Sequence, residues 1–182
     1  MISCIRICLN ISSFNYTSLR IAHVVALVLV SIFSTFLNIS IANADSTVLT
    51  ISGKTAKTAS GNLHLTLSEF ESIGMSELET TTPWHKEKTR FSGVSGKKLS
   101  EYLKVTGSNV YAKALNDYEV VLPVSDLLID GMILATRIDD IPLSVRTKGP
   151  IFLVYPFDQK PELKSEVIYG RSIWQLRALT FK

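Results

Sequence analysis

Cysteine is confined to the far N-terminus: the 182 residues hold two, Cys4 and Cys8, and none follows. Residues 45–182 therefore form no disulfide, offer no thiolate to a metal and carry no cysteine nucleophile. Acidic residues show the opposite gap, because residues 1–44 contain Arg6 and Arg20 but no Asp or Glu. Histidine is scarce as well. His64 and His85, the two that follow residue 44, stand 21 positions apart with no metal-spacing partner, which argues against a zinc site. No Gly-rich phosphate loop and no G-x-S-x-G elbow occurs; Gly93-Val94-Ser95-Gly96 lacks the outer glycine, and no strand-to-helix junction is expected there. Lysine and arginine nowhere cluster with interleaved aromatics, so a nucleic-acid partner is not expected.

What the N-terminus does have is the layout of an export signal. After the basic start comes an apolar run from Ile21 to Ile41, closing on Ala42-Asn43-Ala44, the small-x-small pattern that a signal peptidase accepts. Cleavage after Ala44 and a periplasmic location are expected, with a retained anchor as the alternative, since the run approaches the roughly 20 residues that span a bilayer. Residues 45–182 then make a single domain of ordinary size. It carries 17 basic and 16 acidic residues, a net charge of +1, so the overall pI of 8.8 overstates its basic character.

Along this domain, Leu63, Leu65 and Leu67 alternate with polar residues, the period of a half-buried strand. Ser68 with Glu71 three residues later predicts a capping box and a short helix ending near Gly74. Residues 76–90 are irregular, with a brief strand expected over 90–94. Leu99, Tyr102 and Leu103 have helical spacing, with Gly107 as the closing glycine. Residues 110–115 and 118–122 predict two strands around an Asn116-Asp117 turn, and residues 124–128 a helical turn. The apolar segments 132–138 and 151–155 predict buried strands, and residues 172–181 a last one. Several short strands with two or three small helices make an α+β domain rather than an alternating βαβ one.

Phe91-Ser92-Gly93-Val94, Leu99-Ser100-Glu101-Tyr102-Leu103, Leu115-Asn116-Asp117-Tyr118, Ile133-Leu134-Ala135, Asp140-Ile141-Pro142-Leu143, Gly149-Pro150-Ile151, Tyr155-Pro156 and Ser172-Ile173-Trp174 follow one another in an order that resembles the molybdopterin-binding domain of the sulfite-oxidase family. The match spans about residues 60–182 and implies that family's mixed fold of short strands and small helices. Two departures stand out. The family's molybdenum-holding cysteine has no counterpart in the mature domain, and Phe152 stands where its phosphate-binding arginine follows the G-x-P proline. The chain is more similar to small periplasmic pterin-binding proteins of this fold, in which a free reduced pterin replaces the molybdenum cofactor. That resemblance implies a non-catalytic signalling module, with no metal, that docks on the periplasmic domain of an inner-membrane cyclic-di-GMP enzyme. A molybdopterin-dependent oxidoreductase and a ligand-free periplasmic adaptor are the alternatives.

A pterin site needs planes to stack on and polar groups for the guanidine-like edge. Trp84, Tyr118, Tyr155, Tyr169 and Trp174 are candidates for stacking. Asn116, Asp117 and Arg171 are candidates for the edge and side chain, with Ser172 beside them in a segment that the resemblance places along the pterin. Asp117 has a rival role as a turn residue and Trp174 as core. Arg137, in an apolar strand, requires Asp117, Asp139 or a ligand as partner. Arg146 and Lys148 would meet an anion or lie at a solvated loop edge.

Overall fold

Two five-stranded sheets carry the fold of residues 46–182, the part that the computed structural model describes. The expected export segment, with its cleavage point after Ala44, lies outside the described residues. The first sheet runs in the order β2-β1-β10-β5-β6, formed by β1 (Thr47–Gly53), β2 (Leu63–Thr66), β5 (Asn109–Ala114), β6 (Glu119–Pro123) and β10 (Leu176–Phe181). β1 and β10 pair in parallel and the other neighbours antiparallel. The second sheet follows the path β3-β4-β7-β8, from β3 (Met75–Thr82), β4 (His85–Ser95), β7 (Ile133–Ile138) and β8 (Ile141–Pro142). β9 (Phe152–Val154) pairs with the beginning of β7.

β9 and the first three residues of β7 are buried whichever face they point to, which is why these two strands run continuously apolar there rather than alternating. Leu134 and Leu153 enter the main core, with Leu49, Phe70, Leu99 and Leu179. Their neighbours Ile133, Ala135, Phe152 and Val154 turn to a smaller cluster with Leu78 and Phe91, edged by Trp84 and Trp174.

The segment 76–90, expected to be irregular, is a long hairpin. β3 pairs with β4 from Met75 opposite Val94 to Thr82 opposite His85, turning at Pro83-Trp84. Its alternation is real but muted: Leu78, Thr80 and Thr82 are buried while Glu77 and Glu79 face solvent, and threonine in place of Val or Leu hides the period. β3 is an edge, and side chains block it. Lys98 Nζ donates to Met75 O at 2.9 Å, Gln159 Nε2 to Glu79 O at 2.9 Å, and the Asp158 carboxylate accepts from the Thr81 N–H at 2.7 Å. Such blocking denies the edge to another chain.

The first helix, α1 (Leu67–Ser72), starts two residues before the expected place. Thr66 is its N-cap, accepting from the Glu69 N–H at 3.2 Å, while Glu69 accepts from the Thr66 N–H at 2.9 Å. This capping box leaves Glu71 free to act elsewhere. β4 runs directly into α2 (Gly96–Leu103), so the strand-to-helix junction not expected near Ser95 exists; Ser95 serves as its cap, accepting from Lys98 N–H. The helix closes on Lys104 in left-handed conformation, not on Gly107. α3 (Val124–Leu127) and α4 (Glu166–Arg171) complete the α-helices among the described residues. Among the described residues no helix is long and apolar enough to cross a membrane.

Candidate functional site

A cavity of about 410 Å³ opens where three segments meet. The β3–β4 turn brings Trp84; the β5–β6 hairpin brings Ala114, Asn116 and Tyr118; α4 and the chain beyond it bring Glu166, Tyr169, Gly170, Ser172, Ile173 and Trp174. The last contribution exists because β10 begins at Leu176. Residues 172–175, expected as strand, instead form a connector that ends on Gln175 in the left-handed region (φ 52°). That break keeps Ser172 and Trp174 out of a ladder and against the cavity.

Hydrogen bonds fix the walls. The Asn116 side chain accepts from the Tyr118 N–H at 3.2 Å, and Asp117 adopts φ 65° between them, a conformation that aspartate tolerates. The half-exposed Tyr118 hydroxyl donates to Gly170 O at 3.2 Å and links the hairpin to α4. Ser172 Oγ donates to Ile168 O at 3.0 Å. Trp84 and Trp174 meet edge to face, centroids 5.1 Å apart at 86°, and Trp84 packs edge-on against Phe152 at 5.7 Å. Lys148 Nζ stands 5.3 Å from the Trp174 ring centre, a cation–π contact rather than a solvated loop edge.

Of the residues singled out from sequence, Trp84, Asn116, Tyr118, Tyr169, Ser172 and Trp174 converge on this cavity. Asp117, Arg137, Tyr155 and Arg171 do not line it, and each is occupied by another partner. The exposed Asp117 carboxylate accepts from Lys113 at 3.0 Å and Arg177 at 2.8 Å, which hold its carboxyl below the ordinary range. Arg137 pairs with neither Asp117 nor Asp139. Its Nε and Nη2 donate to the two carboxylate oxygens of Glu71 at 3.1 and 2.8 Å, and Thr136 Oγ1 donates to Glu71 at 2.7 Å. Burial works against ionisation of Glu71, but the Arg137 and Thr136 bonds and the Arg137 charge outweigh it and lower its pKa. Tyr155 is fully buried, its hydroxyl donating to Asp126 at 2.8 Å, and Arg171 donates to the same carboxylate oxygen at 3.0 Å. Burial first, then the Asp126 charge, pushes the Tyr155 pKa far up, so it remains a neutral structural donor.

Glu166 was missed. Its signal was present in Ser165-Glu166, where Ser165 caps α4 by accepting from the Ile168 N–H at 3.4 Å, but residues 159–171 show no strong hydrophobic period.

No family model matches the sequence, and no curated protein matches it. Among solved structures it is similar to the sulfane dehydrogenase SoxCD from Paracoccus pantotrophus, with a TM-score of 0.52 and 15% identity, over 73% of this chain and 37% of that one. The fold is sulfite-oxidase-like, and α+β as expected. The chain thus spans little more than a third of the length of that neighbour.

Among the described residues nothing fits the thiolate-held molybdenum centre that the resemblance would bring. Residues 45–182 have no cysteine, and among the described residues no group of three His, Cys, Asp or Glu is placed to hold a metal. Phe152, which the sequence resemblance sets against the family's phosphate-binding arginine, is fully buried among Trp84, Phe91 and Trp174.

Proposed function

We propose that this protein is a non-catalytic, pterin-binding signalling module of the periplasm. The observation that carries the reading is the convergence of four aromatic rings with Asn116, Ser172 and Glu166 on one cavity. A flat bicyclic heterocycle stacks on indole or phenol faces, and its donor-rich edge needs oxygen acceptors. Export with cleavage after Ala44 follows from the sequence of residues 1–44, and a free reduced pterin is the ligand that the family resemblance implies. The proposed partner, the periplasmic domain of an inner-membrane cyclic-di-GMP enzyme, rests on that resemblance. Signalling requires the partner to prefer the loaded form over the empty one.

The test is to isolate the protein from a pterin-producing cell and identify released small molecules by fluorescence and mass. A bound pterin, loss of it in Trp174→Ala, and a mature N-terminus at Asp45 are expected. Recovery of no pterin, together with no binding of added reduced pterin at micromolar concentration, overturns the reading. Stoichiometric molybdenum in the isolated protein would overturn it in favour of an oxidoreductase.

A further inference from the structure

Four exposed lysines from distant parts of the chain, Lys54, Lys57, Lys104 and Lys182, meet at one end of the first sheet. Lys54 follows β1, and its main chain joins two other segments: its N–H donates to Phe181 O at 2.8 Å, and its carbonyl accepts from the Thr106 N–H at 3.1 Å. Beside it Thr55 bridges Val105, the residue after Lys104, on which α2 closes. Lys182 follows β10, its main-chain oxygen accepting from the Ser108 and Asn109 N–H groups at 2.8 and 3.1 Å. Lys57, in the helical turn Ala56–Thr58, holds its Nζ 4.6 Å from the Tyr102 ring centre, and Lys182 Nζ stands 4.0 Å from that of Tyr111. None of the four lysines forms an ion pair with a described residue. Glu101 is the one acidic side chain in the segments that carry them, residues 53–58, 96–109 and 176–182.

We propose that this lysine pole is a docking surface for an anionic phospholipid bilayer. Which bilayer the domain meets rests on the periplasmic location proposed above; the ligand of the cavity plays no part. Ammonium groups are compact point charges that suit the phosphates of a headgroup layer, where each basic side chain adds about fivefold in affinity. Residues 45–182 carry a net charge of +1, so the attraction comes from the clustering of these lysines and not from the molecule as a whole. None of the exposed large apolar residues falls within the three segments, and the pole offers charge and the exposed hydroxyls of Thr106 and Ser108, with half-buried phenol rings beneath. A stable protein interface is centred on desolvated anchors, whereas attraction to a charged bilayer needs none. Tyrosine is also favoured at headgroup depth.

The experiment is co-sedimentation of the mature protein with vesicles of phosphatidylglycerol mixed with phosphatidylcholine, and with vesicles of phosphatidylcholine alone, at low and at physiological salt. Binding to the phosphatidylglycerol vesicles alone, weakening as salt is raised, is expected. Lys57→Ala/Lys104→Ala should bind roughly 25-fold more weakly. Lys86→Ala/Lys88→Ala removes the same charge from exposed positions on the β3–β4 hairpin of the other sheet, and should bind within about twofold of the unmodified protein. Unchanged thermal unfolding of both variants separates the loss from a folding defect, and the salt dependence of the unmodified protein needs no variant. No binding to phosphatidylglycerol vesicles at low salt, equal binding to phosphatidylcholine, or an equal loss in the two double variants overturns the inference and leaves the pterin reading standing. Binding to soluble polyglutamate without binding to vesicles overturns it in favour of an acidic protein partner. A protein that binds these vesicles but no pterin loses the pterin reading and keeps this one.

Discussion

Arg171 Nη1 and the Tyr155 hydroxyl donate to the same oxygen of Asp126, at 3.0 and 2.8 Å. The bond ties the C-terminal end of α4 to α3, and Tyr155 anchors both from the main core. Since α4 and the residues after it supply more than half of the cavity wall, the trio positions a site that none of its members lines. Removing Asp126 by Asp126→Ala leaves a buried hydroxyl and a mostly buried guanidinium without their acceptor, a loss of about 3 kcal/mol. Arg171→Ala should cost less, about 1–3 kcal/mol. Urea unfolding checks both, and pterin affinity should fall in each because α4 is no longer held.

Phe152→Arg would introduce the residue type that the resemblance to the sulfite-oxidase family expects at this place, yet it should not create a phosphate site. Phe152 is fully buried among aromatic rings, and an arginine there has no carboxylate partner within the cluster. The expected outcome is destabilisation by more than about 3 kcal/mol, measured by denaturant unfolding. A stable Phe152→Arg protein that gains affinity for a pterin phosphate would contradict the packing described above.

Acid should loosen the β3 edge before it unfolds the core. The Asp158 carboxyl is held down to about 2 by hydrogen bonds from the Thr81 hydroxyl and N–H; burial opposes the shift, and Lys164 adds to it. A carboxyl depressed in the folded state gives stability that is complete above its unfolded value, near pH 4, and is lost as pH falls toward 2. Asp158→Asn should lower stability at neutral pH and flatten its fall between about pH 4 and pH 2. Unfolding curves collected across that range, with amide exchange at Thr81, provide the check.

Gly93→Ala tests the close approach of β4 to β7. A Cβ at Gly93 would lie 2.1 Å from Leu134 O, beside the register shift between Ser92 and Gly93. The neighbour is strand backbone and cannot swing aside, so a loss of about 1–3 kcal/mol or more is expected in thermal unfolding. By contrast Gly170, at the cavity wall, has open space around its Cβ position, and Gly170→Ala should be tolerated by the fold.

Much of the architecture was legible because it depends on local pattern. The apolar stretches 132–138 and 151–155 became buried β7 and β9, the Asn116-Asp117 turn closed the β5–β6 hairpin, and Leu99 and Leu103 set the buried face of α2. The misplacements were local competitions between similar signals. Thr66 and Ser68 both offer an N-cap oxygen, and the capping box formed with Glu69 rather than Glu71. The β3–β4 hairpin hid behind threonines, which pack like valine on one face but count as polar in a pattern.

The sequence by itself determined that residues 45–182 hold no thiolate ligand, that strands outnumber helices, and which aromatic residues are available to a flat ligand. Only the tertiary structure decided which charged groups remain for that ligand. Arg137 went to Glu71, 66 residues away, Arg171 to Asp126, 45 residues away, and Asp117 to Lys113 and Arg177. Glu166 was left on the cavity wall. The physical reason is that a half-buried charge takes whichever opposite charge the packing brings within hydrogen-bond reach, and that neighbour is set by the meeting of distant segments rather than by spacing along the chain.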